Sequence, residues 1–270
     1  PLIISEYGPG ADVRNHTETP KPYDFTEDYQ LIMHESYLDQ MMNMPYLAGF
    51  AAWNFADFGS ERRGDAIPHV NQKGLTNYDR SEKTVCNLYR AWFSDNPVLQ
   101  IGLQNYTQQG GVEDVAGSGV SEHPVKIFSN AENVELLING ISLGTKRITA
   151  HTTVFNVPFK NGRNELKAVD NNGLKDEIGV DFDLYTMPLA GESKTIAVNV
   201  GAHWSFYDPS AKVLWMADRE YAPGLWGSEG GKPHIRTGGR QPKTGISNDI
   251  FGTENDPLFQ TYNKGIETYR

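Results

Sequence analysis

A single cysteine, Cys86, in a chain of 270 residues leaves no partner for an intrachain disulfide and no set of thiolates for a metal cluster. It falls inside a helical pattern and reads as a small packed residue. Positive charge is also scarce: 24 Lys and Arg against 34 Asp and Glu give a net charge of −10. Such a chain repels phosphate backbones and anionic membrane surfaces, so no nucleic acid or lipid partner is expected. No apolar run approaches the ~20 residues of a membrane span, and no signal-peptide pattern is present. The histidines His16, His69, His123, His151, His203 and His234 have no metal-ligand spacing. No metal and no cofactor is expected.

The length predicts about two domains on the usual ~150 residues per domain, and 38% apolar with 21% charged residues is ordinary for a folded chain. The apolar run Leu2-Ile3-Ile4 leads through Ser5 into Glu6-Tyr7-Gly8. It predicts a buried parallel strand whose C-terminal end presents a carboxylate, where α/β barrels place their chemistry. Thr26 can cap a helix with Glu27 and Asp28 in its first turn and Leu31, Leu38 and Met42 at helical spacing. A second apolar segment, Leu47 to Phe55, predicts the next strand. Val85, Leu88, Tyr89, Trp92 and Phe93 predict an amphipathic helix. The order strand, helix, strand, loop, helix is that of the last quarter of a (β/α)8 TIM barrel over residues 1–95.

Asp95-Asn96-Pro97 breaks the helix, and short alternating runs follow: Val125 to Phe128, Val134 to Ile138, Thr153 to Val157 and Glu165 to Val169. Asn139-Gly140 is a type I′ hairpin signal. This predicts an immunoglobulin-like β-sandwich over residues 96–187. Met187 to Lys194 reads as a linker. Ile196 to Gly201 then opens a further β unit over residues 188–270.

The chemistry concentrates at the two strand ends. Ser5-Glu6-Tyr7-Gly8, Trp53-Asn54-Phe55-Ala56-Asp57-Phe58, Asn71-Gln72-Lys73-Gly74-Leu75 and Asp79-Arg80 occur in that order. Together they resemble the end of the catalytic barrel of glycoside hydrolase family 2. The resemblance covers roughly the first 95 residues and implies that Glu6 is the nucleophile of a retaining β-glycosidase acting on a carbohydrate substrate. Trp53 offers a flat apolar face for a pyranose ring, although core packing also calls for such a ring. Asn71 and Lys73, two residues apart, can face the same way in an extended loop. They resemble the Asn-x-Lys motif with which β-glucuronidases of the family grip a C6 carboxylate. Similar Asn-Gln-Lys-Gly text also fits β-galactosidases of the family, so an exo-acting β-glucuronidase is the favoured expectation and a β-galactosidase the alternative.

Retention needs a second carboxylate as acid/base, ~5 to 5.5 Å from the nucleophile. In the family it follows an Asn at an earlier barrel strand. The one Asn-Glu pair here, Asn164-Glu165, falls in the β-rich region and is read as a decoy. The chain also starts at Pro1 within a strand. A longer polypeptide is therefore expected, with the remainder of the barrel as the partner segment and this stretch inactive alone. Bacterial secretion or a periplasmic location is implied by the resemblance only. Beyond residue 188, Trp215-Met216-Ala217-Asp218, Ile250 to Thr253 and Asp256 to Tyr262 resemble the start of a malectin-like carbohydrate-binding domain. Trp204, Phe206, Tyr207, Trp215, Tyr221, Trp226 and Tyr262 could stack on sugars or fill a core. The reading from another class is a non-catalytic carbohydrate-binding protein.

Other matches fail. His34-Glu35 lacks the second histidine of a zinc-protease helix, because position 38 is Leu. Gly230-Gly231-Lys232 lacks the leading glycine and following hydroxyl of a phosphate loop. Asn15-His16-Thr17 and Asn105-Tyr106-Thr107 are formal glycosylation triplets.

Overall fold

The computed structural model describes residues 2–22, 24–63, 65, 67–186, 195–236, 243–244 and 248–270. The expected linker and part of the glycine-rich loop after Gly227 lie outside them. The chain is mostly β-strand with two α-helices among the described residues, and it divides into two compact units, Pro1–Ser81 with Pro188–Arg270, and Glu82–Met187.

In the first unit, β1 (Leu2–Tyr7) pairs in parallel with β2 (Leu47–Ala52), and α1 (Glu27–Met42) connects them. Thr26 caps α1 as its sequence predicts, its hydroxyl accepting the Tyr29 N–H at 3.0 Å. The buried stripe of α1 is Leu31, His34, Leu38 and Met41, while Met42 is half exposed. The periodicity therefore runs through a histidine, which hydropathy hides. The second strand stops at Ala52, short of the expected Phe55. From Asn54 onward the backbone bonds instead to the loop around Lys73. A parallel pair is normally covered on both faces, yet Ile3 is 67% and Leu2 52% exposed.

β3 (Phe58–Gly59) and β4 (Val70–Asn71) form a small antiparallel pair. The second unit begins with α2 (Val85–Phe93), which buries Val85, Leu88 and Ala91 and leaves Phe93 half exposed. Cys86 sits half buried on α2, where burial pushes its thiol up to about 11. That protonated state fits a packed residue.

The remainder of this unit has two sheets. β5 (Leu99–Ile101), β7 (Ser121–Ser129) and β10 (Thr152–Phe159) make one. β6 (Gln108–Val112), β8 (Asn133–Ile138), β9 (Ile141–Arg147), β11 (Gly162–Asp170) and β12 (Lys175–Tyr185) make the other. Alternate residues of both sheets meet in one core, including Ile127, Leu136, Phe155, Leu166 and Phe182. Asn139 and Gly140 both adopt positive φ, +51° and +80°, closing the β8–β9 hairpin as a type I′ turn requires.

The remaining strands belong to the first unit: β13 (Val198–Asn199), β14 (Phe206–Asp208), β15 (Val213–Ala217), β16 (Ser228–Pro233), β17 (Ile235–Arg236), β18 (Lys243–Thr244) and β19 (Asn263–Tyr269). Of the aromatics in this stretch, Trp204, Phe206 and Tyr207 are buried core. Tyr262 remains partly exposed and stacks on His234 with ring centroids 4.6 Å apart. Two contacts tie this segment to residues 12–24: Arg14 bridges Asp12 and Asp256, and His203 Nε2 lies 3.6 Å from Asp24 Oδ2.

Two measurements test these packing arguments. Leu136 is fully buried, so Leu136→Ala should lower stability by about 2–5 kcal/mol, read as a lower urea midpoint. His16 tests a charge cluster at the start of α1. Its Nε2 lies 2.9 Å from the Val13 carbonyl, and its Nδ1 lies 3.5 Å from Asp28 with Glu27 also close. Burial alone would lower its pKa, but Asp28, Glu27 and Val13 together raise it above the ordinary value. The stabilisation is thus complete below the unfolded pKa of about 6.5 and is lost as pH rises through the higher folded pKa. The thermal midpoint of the wild type relative to His16→Gln should therefore fall between pH 6 and a pH above that folded value. A constant difference would contradict it.

Candidate active site

The end of β1 and the segment after β2 are fixed side by side by the Trp53 N–H donating to the Tyr7 carbonyl at 2.8 Å. Glu6 is exposed at this end. Gly8 follows at φ +126°, and a Cβ there would lie 2.9 Å from the His34 ring. This glycine meets two demands, an unusual φ and a close neighbour.

Residues 54–57 are then laced to residues 73–76. Asn54 N donates to the Lys73 carbonyl, Leu75 N to the Asn54 carbonyl, and Thr76 N to the Phe55 carbonyl, at 2.8–3.1 Å. Buried Asp57 accepts the Gly74 N–H at 2.7 Å through Oδ1. Gln30, fully buried on α1, donates from Nε2 to the carbonyls of both Pro9 and Gly74. Ala11 N donates to the Gln72 carbonyl at 3.1 Å. A Cβ on Gly74 would overlap the backbone of Ala56, Asp57 and Thr76, so only glycine permits this approach.

The consequence is electrostatic. The half-buried Lys73 ammonium lies within range of the Glu6 and Asp65 carboxylates and of the Arg63 guanidinium. Burial and Arg63 lower its pKa, and Glu6 and Asp65 oppose that shift. Glu6 and Lys73, 67 positions apart by subtraction of their residue numbers, thus share one electrostatic environment.

The other expected site residues are placed as follows. Trp53 is 41% exposed, its ring edge-on to Phe58 at 5.8 Å, and the Trp53–Asn54 peptide bond is cis. Asn71 is buried, and its Oδ1 accepts the Lys73 N–H at 3.2 Å. That bond bends the loop locally in the manner of an Asx turn. Asn164 and Glu165 lie in the second unit. Asn164 Nδ2 donates to the carbonyls of Lys160 and Gly162, and Glu165 pairs with Arg163 at 2.8 Å. Both partners are structural. Sequence reasoning missed Gln30 and His34, which lie in α1 and carry no motif, and Arg63 and Asp65, which lie in an irregular loop. Among the described residues, no group of three His, Cys, Asp or Glu is placed to hold a metal, and no helix is long and apolar enough to cross a membrane.

Comparison with known proteins gives the same direction. Residues 121–175 match a family described as Domain of unknown function (DUF4982). A structure of Bacteroides uniformis β-glucuronidase 2 covalently bound to cyclophellitol-6-carboxylate aziridine superposes with a TM-score of 0.86 at 38% identity, over 100% of this chain and 32% of that one. A β-glucuronidase of Bacteroides fragilis is 27% identical over 66% of this chain and 26% of its own length. Human β-glucuronidase is 37% identical over 93 residues, 33% of this chain and 14% of its own. The chain thus spans about a third or less of the length of these relatives. A likeness that runs from one end of the chain to the other makes it a member of glycoside hydrolase family 2, of the β-glucuronidase type.

Proposed function

We propose that the chain supplies part of the active site of a retaining exo-β-glucuronidase, with Glu6 as nucleophile and Lys73 and Asn71 at the substrate's C6 carboxylate. The observation that carries this reading is the Lys73 ammonium held within electrostatic range of Glu6, in a loop bonded to the segment that follows β2. An ammonium there suits an anionic sugar, because a charge-assisted hydrogen bond is roughly twice as strong as a neutral one. Glu6 attacks the anomeric carbon and expels the aglycone, forming a glycosyl ester, and water then releases the sugar. The acid/base carboxylate is assigned to a part of the whole protein outside these residues. Exposed Trp53 serves as the flat apolar floor for the pyranose ring.

The architecture that fits this chemistry is the last quarter of a (β/α)8 barrel for residues 1–95, an immunoglobulin-like sandwich for 96–187 and a partial malectin-like domain for 188–270. Parallel β1 and β2 joined through α1 support the first. Their exposed Leu2 and Ile3 suit a strand pair that further barrel strands would cover. Two sheets on one shared core support the second. The third rests on the sequence resemblance.

Two substitutions in the whole protein test the chemistry. Glu6→Gln should keep substrate binding and remove most turnover, because an amide cannot form the glycosyl ester. Unchanged turnover would take the nucleophile role away from Glu6. Lys73→Ala should cost about 1.5–3 kcal/mol, roughly tenfold to a hundredfold in kcat/KM for an aryl β-glucuronide. An aryl β-galactoside turned over faster than the glucuronide, in a ratio that Lys73→Ala leaves alone, would favour the galactosidase reading.

A further inference from the structure

We propose that Arg14 is a positioning residue of the Glu6 site, and that it makes the loop after Glu6 depend on residues 250–256 of the C-terminal stretch. This rests on the reading of Glu6 as the nucleophile. Both segments belong to the same compact unit. The chain leaves β1 at Tyr7 and passes Gln72, the neighbour of Lys73: Ala11 N donates to the Gln72 carbonyl at 3.1 Å, and Asp12 N to the Phe25 carbonyl at 2.9 Å. Gly10 permits the approach, because a Cβ there would lie 2.9 Å from the Phe25 ring and 3.3 Å from the Gln72 carbonyl oxygen.

Asp12 is buried at this crossing, and so is Asp256. One guanidinium serves both. Arg14 Nε donates to Asp12 Oδ1 at 3.0 Å and Nη2 to Asp12 Oδ2 at 2.7 Å, a two-pronged grip on the carboxylate. Its Nη1 donates to Asp256 Oδ2, and to the Glu254 carbonyl at 3.2 Å. The other Asp256 oxygen accepts the Ile250 N–H at 2.7 Å, so this carboxylate also closes the segment that it presents to Arg14. Beside it, Asn255 Nδ2 donates to Asp208 Oδ2 at 2.7 Å and anchors that segment to the end of β14.

Exposed ion pairs contribute little, but these two carboxylates sit out of water. A buried carboxylate that loses its counter-charge is strongly destabilised and relieves the penalty by moving toward solvent. The short Asp12 side chain reaches water only if its backbone shifts, and Ala11, the residue bonded to Gln72, shifts with it. Arg14 therefore acts through Asp12 and Ala11 on how the loop after Glu6 lies against the loop of Lys73. Asp256 fixes the far end of the Arg14 side chain. The C-terminal stretch thereby becomes part of the catalytic unit instead of an appended module.

The test uses the whole protein as wild type, Arg14→Ala, Arg14→Lys and Asp256→Ala, each below its unfolding transition. The substrate is whichever aryl β-glycoside the wild type turns over fastest, glucuronide or galactoside. Two rates are read: kcat, and covalent inactivation by the matching 2-fluoroglycoside, which reports attack by the nucleophile. Arg14→Ala should lower both about tenfold or more, with KM changing less than about threefold, because small misplacements of reacting groups are costly in rate. Arg14→Lys, which keeps a charge and loses the fork, should recover part of the loss. Asp256→Ala leaves Arg14 paired with Asp12 and should lower both rates severalfold; it carries the test if Arg14→Ala fails to fold. A lower urea midpoint with both rates unchanged would reduce Arg14 to a stability role and overturn the proposal, leaving Glu6 as nucleophile. A wild-type label on a carboxylate other than Glu6 would overturn both together.

Discussion

The backbone of Gly74, gripped from two sides, sets the rest of the site. The Asp57 carboxylate takes its N–H, and the Gln30 amide, reaching out of α1, donates to its carbonyl. The absent side chain lets the loop lie against Ala56, Asp57 and Thr76. Lys73 is adjacent and has its own carbonyl bonded to Asn54, next to Trp53. Gln30 also donates to Pro9, in the loop that follows Glu6. One buried amide therefore ties the loop after Glu6 and the loop of Lys73 to a single helix. Buried polar groups of this kind are costly when unpaired, so they fix one arrangement rather than several.

The two units differ in how they bury apolar surface. The second closes its two sheets over one core of fifteen buried residues, and its strands alternate inward and outward as a sandwich demands. The first holds the site on a two-stranded parallel sheet whose apolar side chains stay partly open. Local hydrogen bonding, rather than a large core beneath the sheet, keeps the Glu6 and Lys73 loops in register.

Much of this was legible in the sequence because the signals were local. The Thr26 cap, the run Val85–Phe93 and the Asn139-Gly140 turn each announce themselves through residues a few positions apart. Glu6 and Lys73 were legible only as members of a motif series. Their proximity depends on parallel pairing and on loop lacing across many residues, which no periodicity encodes. Gln30 and His34 were hidden because they are polar residues on the buried face of α1. The two-residue strands β17 and β18 lack a run long enough to show alternation. Asn71 reads as a ligand in sequence, and its side-chain oxygen also shapes the loop that carries Lys73. Both tasks are compatible, because an amide has donors as well as an acceptor.

The central claim is that Glu6 forms the covalent bond to the sugar. Its most direct test is mass spectrometry of the whole protein after inactivation with a 2-fluoro-glucuronide, which traps the glycosyl ester by slowing its hydrolysis. The account predicts one sugar attached to the peptide containing Glu6, and no label in the Glu6→Gln variant. A label on another carboxylate, with Glu6→Gln still turning over substrate, would contradict it.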